Sequence, residues 1–391
     1  MNTNQKALIL YITTGLYTGG AEAMLYNLLT KINQQRFEPV VVSLLNKGTW
    51  GDRIEKLGVP IYTLGMKQGS LPTPAMILHL HRIIHKTQPD LIQGWMYHGN
   101  LAAMLAESVV FRNIPVIWNI QHSMYSLKYE KQMTQYIIRL GAQLSKKPRS
   151  IVFVSQIGKK QHEAIGFYSK NGCVIPNASD NSLFVPSTEA KYSVRKELGL
   201  SEDSFLIGKF ARFHPMKDHA NFLKAAAMLV KKLQNVHFLL AGTQVERNNS
   251  ELQQLLENLG ISQQVHLLGE RRDMPRLTAA LNILTVASAF GEAFPLVIGE
   301  AMSCGVPCVV TDVGDSTSIV NNTGRSVPPR DPEALANAWQ ELIELSAHER
   351  EALGQAARAR ILEYFSLESA VNQYEELYEQ ALNKQSHASS I

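Results

Sequence analysis

The sequence GEAFPLVIGEAMSCG occupies positions 291–305 and begins two residues after the apolar run NILTVAS at 282–288. The apolar run is typical of a buried strand. Proline is favoured in the first turn of a helix, so Pro295 indicates that a helix begins there. Gly305 is typical of the residue at which a helix ends. We therefore predict a strand over 282–288, then a short loop, and then a helix that runs over about 295–304. A strand followed closely by a helix is the repeating unit of a parallel α/β sheet.

The same alternation of short apolar runs with amphipathic stretches fills both halves of the chain. The runs of the first half lie at 7–12, 39–45, 60–64, 90–94, 115–120, 150–155 and 173–177. Those of the second half lie at 205–211, 236–242, 264–269, 282–288, 307–312 and 325–329. Between the halves, the polar segment 178–203 carries one short helical stretch and is interpreted as a linker. Continuous apolar strands separated by helices predict parallel sheets that are covered on both faces.

We therefore predict an α/β protein of two doubly wound, Rossmann-like domains that face each other across a cleft. The first domain is assigned to residues 1–178 and the second to 179–366. A helix at 367–383 is expected to pack back on the first domain, and 384–391 is expected to be disordered. Doubly wound sheets bind ligands at the carboxyl ends of their strands, so the cleft is the expected site.

The composition indicates an ordinary globular protein of a reducing compartment. Of the 391 residues, 45% are apolar and 18% are charged, and the net charge is +4. That charge is too small to indicate nucleic-acid binding, but it suits a ligand that carries phosphate. Cys173, Cys304 and Cys308 make an odd, small set. Because Gly305 and Pro307 lie between the last two, we interpret them as buried thiols rather than as a zinc site.

The chain carries no segment that resembles an export signal or a membrane span. The apolar run at 7–12 is shorter than a signal peptide requires, and no later run reaches the length of a spanning helix. We expect a cytoplasmic protein. The stretch 125–149 is rich in Lys, Arg and Tyr, including Lys128, Lys131 and Arg139. It is interpreted as a solvated face, with peripheral contact to anionic lipid at the inner membrane face as the alternative.

Two carboxylates stand close together in the apolar stretch that follows the strand. Glu292 lies before the predicted helix and Glu300 lies inside it, eight positions later. They form either an acid–base pair, as in a glycoside hydrolase, or two residues that bind different parts of one extended ligand. A retaining hydrolase holds its carboxyl groups about 5 Å apart. One loop position and one mid-helix position favour the second interpretation, while a helix-terminal Glu and a salt-bridged Glu remain the structural alternative.

Two cations follow the first strand of the second half. Arg212 and Lys217 lie in the segment RFHPMKD, ahead of a predicted helix. Cations beside a helix N-terminus make an anion site that suits a diphosphate. Cationic side chains in loops are often merely solvated. This segment alone therefore does not decide between a diphosphate site and two solvated side chains.

The first half has its own candidates at strand ends. Gly15, Gly19 and Gly20 join the first strand to the first helix, where glycine lets the backbone approach a phosphate. Their spacing is not that of the dinucleotide-binding fingerprint. His98 and His122 each follow an apolar run, and a pair of histidines at this edge is less readily explained as structural than one alone.

With these residues identified, the chain resembles the retaining glycosyltransferases of family 4, the group 1 glycosyltransferases of the GT-B fold. The resemblance covers nearly the whole chain and rests on four segments. They are GGAEAM at 19–24, VIPNASDNSLF at 174–184, RFHPMKD at 212–218 and GEAFPLVIGEAMSCGVPCVVTDVGD at 291–315. The last of these is the most specific. Ala178, Asn282, Ala287, Asp315 and Ser318 depart from the residues that are usual in the family.

The resemblance implies transfer of a sugar from a UDP- or GDP-linked donor to a hydroxyl acceptor, with retention at the anomeric carbon and without a metal. It implies that the first domain binds the acceptor, which is a glycan, a lipid-linked glycan or a small molecule. The implied roles cover the diphosphate, the ribose, the sugar and the nucleobase. They fall on Arg212 and Lys217 for the diphosphate, Glu300 for the ribose, Glu292 with Phe294, Pro295 and Leu296 for the sugar, Gly19 and Gly20 for the phosphates and acceptor, His122 for the transferred sugar, and 269–275 for the base.

Two other functions fit the same architecture. A nucleotide-sugar epimerase would act on the donor without an acceptor, and a non-catalytic protein would only bind the nucleotide sugar. Arg212, Lys217, Glu292 and Glu300 are all present, which favours an enzyme of polysaccharide, glycolipid or small-molecule glycoside synthesis.

Overall fold

The computed structural model describes residues 6–110, 112–124 and 126–388. It divides into two compact units. The first unit comprises Met1–Ala178 together with Leu367–Ile391, and the second comprises Ser179–Ser366. The chain therefore passes from the first unit to the second and returns to the first for its last helix.

The first unit is built on one parallel sheet. Its strands are β1 (Ala7–Thr13), β2 (Phe37–Ser43), β3 (Ile61–Thr63), β4 (Leu91–Trp95), β5 (Val116–Ile120), β6 (Ser150–Phe153) and β7 (Gly172–Val174). Its helices in this part of the chain are α1 (Gly20–Lys31), α2 (Gly48–Glu55), α3 (Pro74–Thr87), α4 (Met96–Ser108), α5 (Gln132–Leu144) and α6 (Gln156–Ala164). The strand order is β3-β2-β1-β4-β5-β6-β7.

The order of this sheet reverses direction between β1 and β4. Successive strands run outward from β1 to β3 on one side, and from β4 to β7 on the other. The loops that leave β1 and β4 therefore diverge, and such a switch point is where doubly wound sheets bind ligands. The Gly15–Gly20 segment follows β1, so it lies at this switch point.

The second unit repeats the design. Its strands are β8 (Phe205–Phe210), β9 (Val236–Ala241), β10 (Val265–Leu267), β11 (Ile283–Val286), β12 (Cys308–Thr311) and β13 (Arg325–Val327). Its helices are α7 (Thr188–Glu197), α8 (His219–Val230), α9 (Ser250–Leu259), α10 (Met274–Ala279), α11 (Leu296–Ser303), α12 (Ser316–Val320), α13 (Pro332–Glu344) and α14 (Ala347–Tyr364). The strand order is β10-β9-β8-β11-β12-β13, and every pairing is parallel.

The second sheet has its switch point between β8 and β11. Both strands are buried along almost their whole length, because helices cover the two faces of the sheet. The predicted α/β class of two doubly wound parallel sheets is confirmed. The segments RFHPMKD and GEAFPLVIGEAM follow the two strands that flank the switch point.

Most of the segment interpreted above as a linker, residues 179–203, is instead packed as part of the second unit. Its helix α7 packs against α10, and Arg195 on α7 is only 5% exposed. The Arg195 guanidinium donates to the main-chain oxygens of Ser204 and Ala280 and to Asn282 Oδ1, at 2.8 to 3.2 Å. The prediction was wrong because a polar composition conceals one arginine that satisfies buried acceptors.

The last helix, α15 (Leu367–Ala388), packs on α1 and β4 of the first unit. Its Tyr374 Oη accepts a hydrogen bond from Asn119 Nδ2 at 2.6 Å, and its Tyr378 Oη bonds Gln93 and Tyr11. The helix extends beyond the predicted boundary at 383, so the expected disordered tail begins inside it. The rest of that tail, 389–391, lies outside the described residues.

The role of Arg195 can be tested with Arg195→Met. The substitution removes the Arg195 donor from the main-chain oxygens of Ser204 and Ala280 and leaves Asn282 Oδ1 with Leu206 N alone, and we expect it to lower the free energy of unfolding by about 2 to 4 kcal/mol. Urea denaturation followed by circular dichroism measures the change. Lys196→Met, at the exposed neighbouring position, is the matched control. Equal midpoints for the two variants would contradict the assignment.

Candidate functional site

Residues 282–305 form the predicted strand, loop and helix. The strand is β11, and α11 begins at Leu296, with Pro295 at the position that precedes the first helical residue. Gly305 follows the helix with φ +70, a left-handed conformation that glycine adopts without strain. Glu292 therefore lies in the loop and Glu300 lies within the helix.

Glu292 is buried, at 6% exposure, and is held by two partners on one oxygen. Lys217 Nζ donates to Glu292 Oε1, and Ser288 Oγ donates to the same atom at 2.6 Å. Burial opposes ionisation of this carboxyl, but Lys217, Ser288 and the nearby Lys209 outweigh it, so the pKa of Glu292 lies below its ordinary value. Glu292 is thus an ionised carboxylate at neutral pH.

Main-chain hydrogen bonds hold the loops around this pair together. Ala289 N donates to Met216 O at 2.9 Å, which links the loop after β11 to the turn that carries Lys217. Asp315 N donates to Ala293 O at 3.1 Å, which links the loop after β12 to the same segment. The loops after β8, β11 and β12 therefore form one connected framework.

Gly314 is required by the close approach of two of these loops. It has φ +61, and a Cβ at this position would lie 2.1 Å from the main-chain oxygen of Glu292. A larger residue would push the loop after β12 away from Glu292.

The two candidate cations differ in their surroundings. Lys217 is the last residue of a 3-10 turn, Pro215–Lys217, just before α8, and its side chain is occupied by Glu292. Arg212 lies two residues beyond the end of β8 and is exposed. The structure therefore brings Lys217 and Glu292 into contact and leaves the Arg212 side chain at the surface of the same loop.

Glu300 has a different environment from Glu292. It is half-buried on α11, and no hydrogen bond or ion pair to its carboxylate is found among residues 6–110, 112–124 and 126–388. Burial raises the pKa of Glu300 to about 7. This carboxyl can therefore present either a proton or a lone pair to a ligand near neutral pH.

The residues between the two glutamates form the apolar support of the loop. Phe294, Pro295 and Leu296 are buried, and the Phe294 ring lies 5.3 Å from the Phe365 ring. A ligand can meet this segment only through its main chain. Contact of this segment with a donor sugar stays a prediction.

In the first unit, the two adjacent glycines differ in the room around them. Gly19 precedes α1 in an extended conformation, and a Cβ there would lie 2.4 Å from Glu22 Oε2. A Cβ on Gly20 would meet nothing within 4 Å. Neither glycine is required by a positive φ. The Glu22 carboxylate occupies the space beside Gly19, so it is Gly20 that leaves the main chain open at the start of α1.

His122 lies just after β5 and is half-buried. Its Nε2 lies 2.9 Å from Glu130 Oε1, which lowers the pKa of Glu130, and its ring meets Tyr97 edge to face at 6.2 Å. His98 lies in the first turn of α4, where burial lowers its pKa. The ring of His122 is therefore fixed in orientation by two neighbours, while its role toward a sugar stays a prediction.

The segment 269–275, expected near the nucleobase, contains a network of charges. Arg271 donates to Asp273 at 2.8 Å and to Glu197 at 2.9 Å, and Arg276 joins the same two carboxylates. Hydrogen bonding by Arg271 lowers the pKa of Asp273. Arg271 is therefore engaged by carboxylates of its own unit.

Cys304 and Cys308 are buried, and burial raises the pKa of Cys304 to about 12. Within the described ranges, no group of three or more His, Cys, Asp or Glu side chains is placed to hold a metal ion. None of the helices described has both the length and the apolar character of a membrane span.

The basic stretch 125–149 forms a 3-10 turn, Leu127–Tyr129, and α5, which exposes Met133 and Tyr136; residue 125 lies outside the described residues. Contact of this stretch with a membrane stays a prediction.

Sequence reasoning missed two residues of the site. Ser288, which bonds Glu292, ends the apolar run NILTVAS, and its main-chain oxygen accepts from Thr311 Oγ1 at 2.7 Å. Lys209 lies within β8, and its Nζ donates to Lys217 O at 2.5 Å. A lysine inside a buried strand was a detectable signal, because such a group needs a partner. Ser288 gave no comparable signal in the sequence.

Comparison with known proteins agrees with this architecture. The family model Glycosyltransferase Family 4 matches residues 18–183, and the model Glycosyl transferases group 1 matches residues 191–360. The chain is 24% identical to a Bacillus subtilis protein named glycosyltransferase EpsF over 323 residues, 80% of each chain. It is 30% identical to N-acetyl-alpha-D-glucosaminyl L-malate synthase of Bacillus anthracis over 187 residues, 47% of this chain and 48% of that protein.

A solved structure of similar fold is that of HepE from Anabaena in complex with UDP and glucose. It superposes with a TM-score of 0.84 at 22% identity, and the match covers 96% of this chain and all of the other. The two family models, together with this fold, define a glycosyltransferase of the GT-B fold. The chain belongs to the group 1 glycosyltransferases of family 4.

The unpaired state of Glu300 predicts a pH-dependent stability. Because its pKa is raised in the folded protein, the folded state holds a proton that the unfolded state has released between about pH 4.5 and 7. The stability of the wild type should therefore fall over that interval relative to Glu300→Gln, by roughly 1 to 3 kcal/mol. Above pH 7 the difference should be constant.

Urea denaturation at pH 5, 6 and 8 measures the effect. Glu257→Gln on the exposed face of α9 is the matched control, for which we expect no comparable trend. A difference between wild type and Glu300→Gln that is the same at pH 5 and pH 8 would show that the carboxyl is not perturbed.

Proposed function

We propose that this glycosyltransferase is a retaining, metal-independent enzyme. It transfers a sugar from a UDP- or GDP-linked donor to a hydroxyl acceptor in polysaccharide, glycolipid or small-molecule glycoside synthesis. The observation that carries the proposal is the Lys217–Glu292 pair at the switch point of the second sheet, in the loop framework that also bears Arg212. Switch points of doubly wound sheets are where nucleotides bind.

The proposed donor site uses charge that belongs to the protein. A departing sugar leaves negative charge on the nucleoside diphosphate, and cations placed in advance stabilise that charge. Arg212 is exposed and Lys217 lies about five residues along the same loop, ahead of α8. The start of α11, with Phe294 and Pro295 before it, offers main-chain N–H groups to an anion. These groups supply the stabilisation that a metal ion provides in other enzymes.

A front-face mechanism accounts for retention. In this mechanism the acceptor hydroxyl approaches the sugar on the face from which the nucleoside diphosphate departs. An oxygen of the departing diphosphate takes the hydroxyl proton, so no side chain acts as a base. A double displacement through Glu292 is the alternative. It is disfavoured because Glu292 is buried and one of its oxygens is bonded by both Lys217 and Ser288. We assign Glu292 to hold Lys217 and the donor sugar.

Three further groups and one surface stretch have proposed roles. The Glu300 carboxyl, unpaired in the described structure, is proposed to bond the ribose hydroxyls, since near neutral pH it can donate or accept. Gly19 and Gly20 are proposed to admit the phosphates and acceptor, and His122 to contact the sugar. The structure of HepE in complex with UDP and glucose supports a nucleotide-sugar donor. We propose a cytoplasmic location, with peripheral membrane contact through the basic stretch at 125–149.

The test is turnover of a donor panel. The protein is incubated with UDP-glucose, UDP-N-acetylglucosamine, UDP-galactose and GDP-mannose, each with and without candidate acceptors and with EDTA present. We expect release of nucleoside diphosphate with at least one donor that depends on the acceptor and persists in EDTA, and an α-linked product from an α-linked donor. Epimerised donor without acceptor would identify an epimerase instead, and binding without any reaction would identify a non-catalytic protein.

Replacement of the cation that meets Glu292 should separate catalysis from folding. We expect Lys217→Met to lower kcat by about 10² to 10³, because it removes a group that stabilises charge on the leaving diphosphate. Steady-state kinetics with the accepted donor measures this, and circular dichroism verifies the fold. Lys224→Met, on the exposed side of α8, is the matched control and should keep its rate. An unchanged kcat in Lys217→Met would refute the assignment.

A further inference from the structure

Lys209 is a lysine inside the core of the second sheet. It is the fifth of the six residues FLIGKF that form β8, the strand between β9 and β11, and the residue is 1% exposed. Its ammonium group lies 5.7 Å from the centre of the Phe222 ring. No carboxylate forms a salt bridge with it among the residues that the structure describes. The position is one that an apolar side chain would normally fill.

The single strong contact of this side chain reaches the turn that carries Lys217. Lys209 Nζ donates to the main-chain oxygen of Lys217 at 2.5 Å. The next residue, Asp218, has φ +45 and caps α8 by accepting from Asn221 N at 3.1 Å. Lys209 thus holds the carbonyl at the point where a 3-10 turn changes into a helix through a left-handed residue. A shift of this carbonyl would move the Lys217 side chain away from Glu292.

Four charged or titratable groups face Lys209 from the elements around it. They are Lys217, Asp218 and His219 from the turn and α8, and Glu292 from the loop after β11. Burial and then Lys217 lower the pKa of Lys209 to about 7, against the opposing effect of Glu292 and Asp218. Burial and then Lys209 lower the pKa of His219 to about 2, so His219 is neutral. Lys209 therefore adds positive charge beneath the Lys217–Glu292 pair when it is protonated.

A buried lysine of this kind is costly for the fold. Removing an ammonium group from water is unfavourable, and one carbonyl contact compensates it only in part. Apolar replacements of buried charges are often neutral or stabilising. A residue that lowers stability in a core, yet contacts a functional loop, fits a trade of stability for activity.

We propose that Lys209 is a positioning residue of the transfer reaction, which holds the main chain of Lys217 so that the Lys217 ammonium group is aligned with Glu292 for the donor diphosphate. The donor role of Lys217 rests on the proposed function, whereas the positioning of its side chain by Lys209 does not. A positioning role and a purely structural role predict opposite results when the lysine becomes apolar.

The main experiment compares Lys209→Met with wild type in stability and in kinetics. We expect Lys209→Met to have an equal or higher Tm, while kcat falls at least tenfold and the donor KM changes less than threefold. The split follows because alignment of Lys217 matters most when charge builds on the leaving group. Lys232→Met, which removes an exposed lysine that contacts Gln340 far along the chain, is the matched control.

The pH dependence of the Tm adds a readout with a defined sign. Because the pKa of Lys209 is lowered in the folded protein, the unfolded state binds more protons between about pH 7 and 10.5, and the wild type gains stability as the pH rises. The Tm advantage of Lys209→Met should therefore be largest at pH 6 and should shrink toward pH 9. A lower Tm than wild type at every pH, with kcat falling in step with the folded fraction, would identify a structural role and overturn the proposal.

A second measurement does not depend on any donor. Limited acetylation with acetic anhydride, followed by peptide mass spectrometry, reports how freely each lysine amine reacts. Lys217 should be acetylated at least three times faster in Lys209→Met than in wild type, while the exposed Lys224 reacts at the same rate in both. An unchanged rate at Lys217, or an equal rise at Lys217 and Lys224, would overturn the proposal. If no donor is turned over but Lys217 alone becomes reactive, the proposed function fails and the positioning role stands.

Discussion

The contact between Lys217 and Glu292 connects the loops that follow the two strands at the second switch point. In a parallel sheet these loops must diverge, because the chain leaves β8 and β11 toward opposite edges. The ion pair, the Ala289–Met216 main-chain bond and the close approach at Gly314 oppose that divergence. They keep a cation, an anion and the start of α11 near one point. The assignments of Lys217 and Glu292 depend on this local convergence.

The two glutamates show how position alone can separate chemically identical groups. Glu292 lies among cations and a hydroxyl, so it is ionised despite its burial. Glu300 lies on a helix that places no partner beside it in the described structure, so burial alone acts and its pKa rises. An acid–base pair would need the two carboxyls to act on the same atoms. Their different surroundings fit two different duties toward one ligand.

Much of the fold could be predicted from the sequence, because continuous apolar runs report buried parallel strands directly. The start of α11 near Pro295 and its end at Gly305 followed from local backbone preferences alone. The pairing of Lys217 with Glu292 could not be predicted, since 75 residues separate them and only the strand order brings them together. The burial of Arg195 was missed for the same reason. Its acceptors are main-chain oxygens and one amide that no sequence pattern marks.

The return of the chain to the first unit affects the order in which the protein can be completed. Helix α15 supplies Tyr374 and Tyr378, which bond to Asn119 and Gln93. One side of the core of the first unit therefore stays uncovered until that helix has been made. On the ribosome, all residues of the second unit are made before α15 is. The unit that is synthesised first is therefore the one that must wait, and its apolar face is open to chaperones throughout the synthesis of the other.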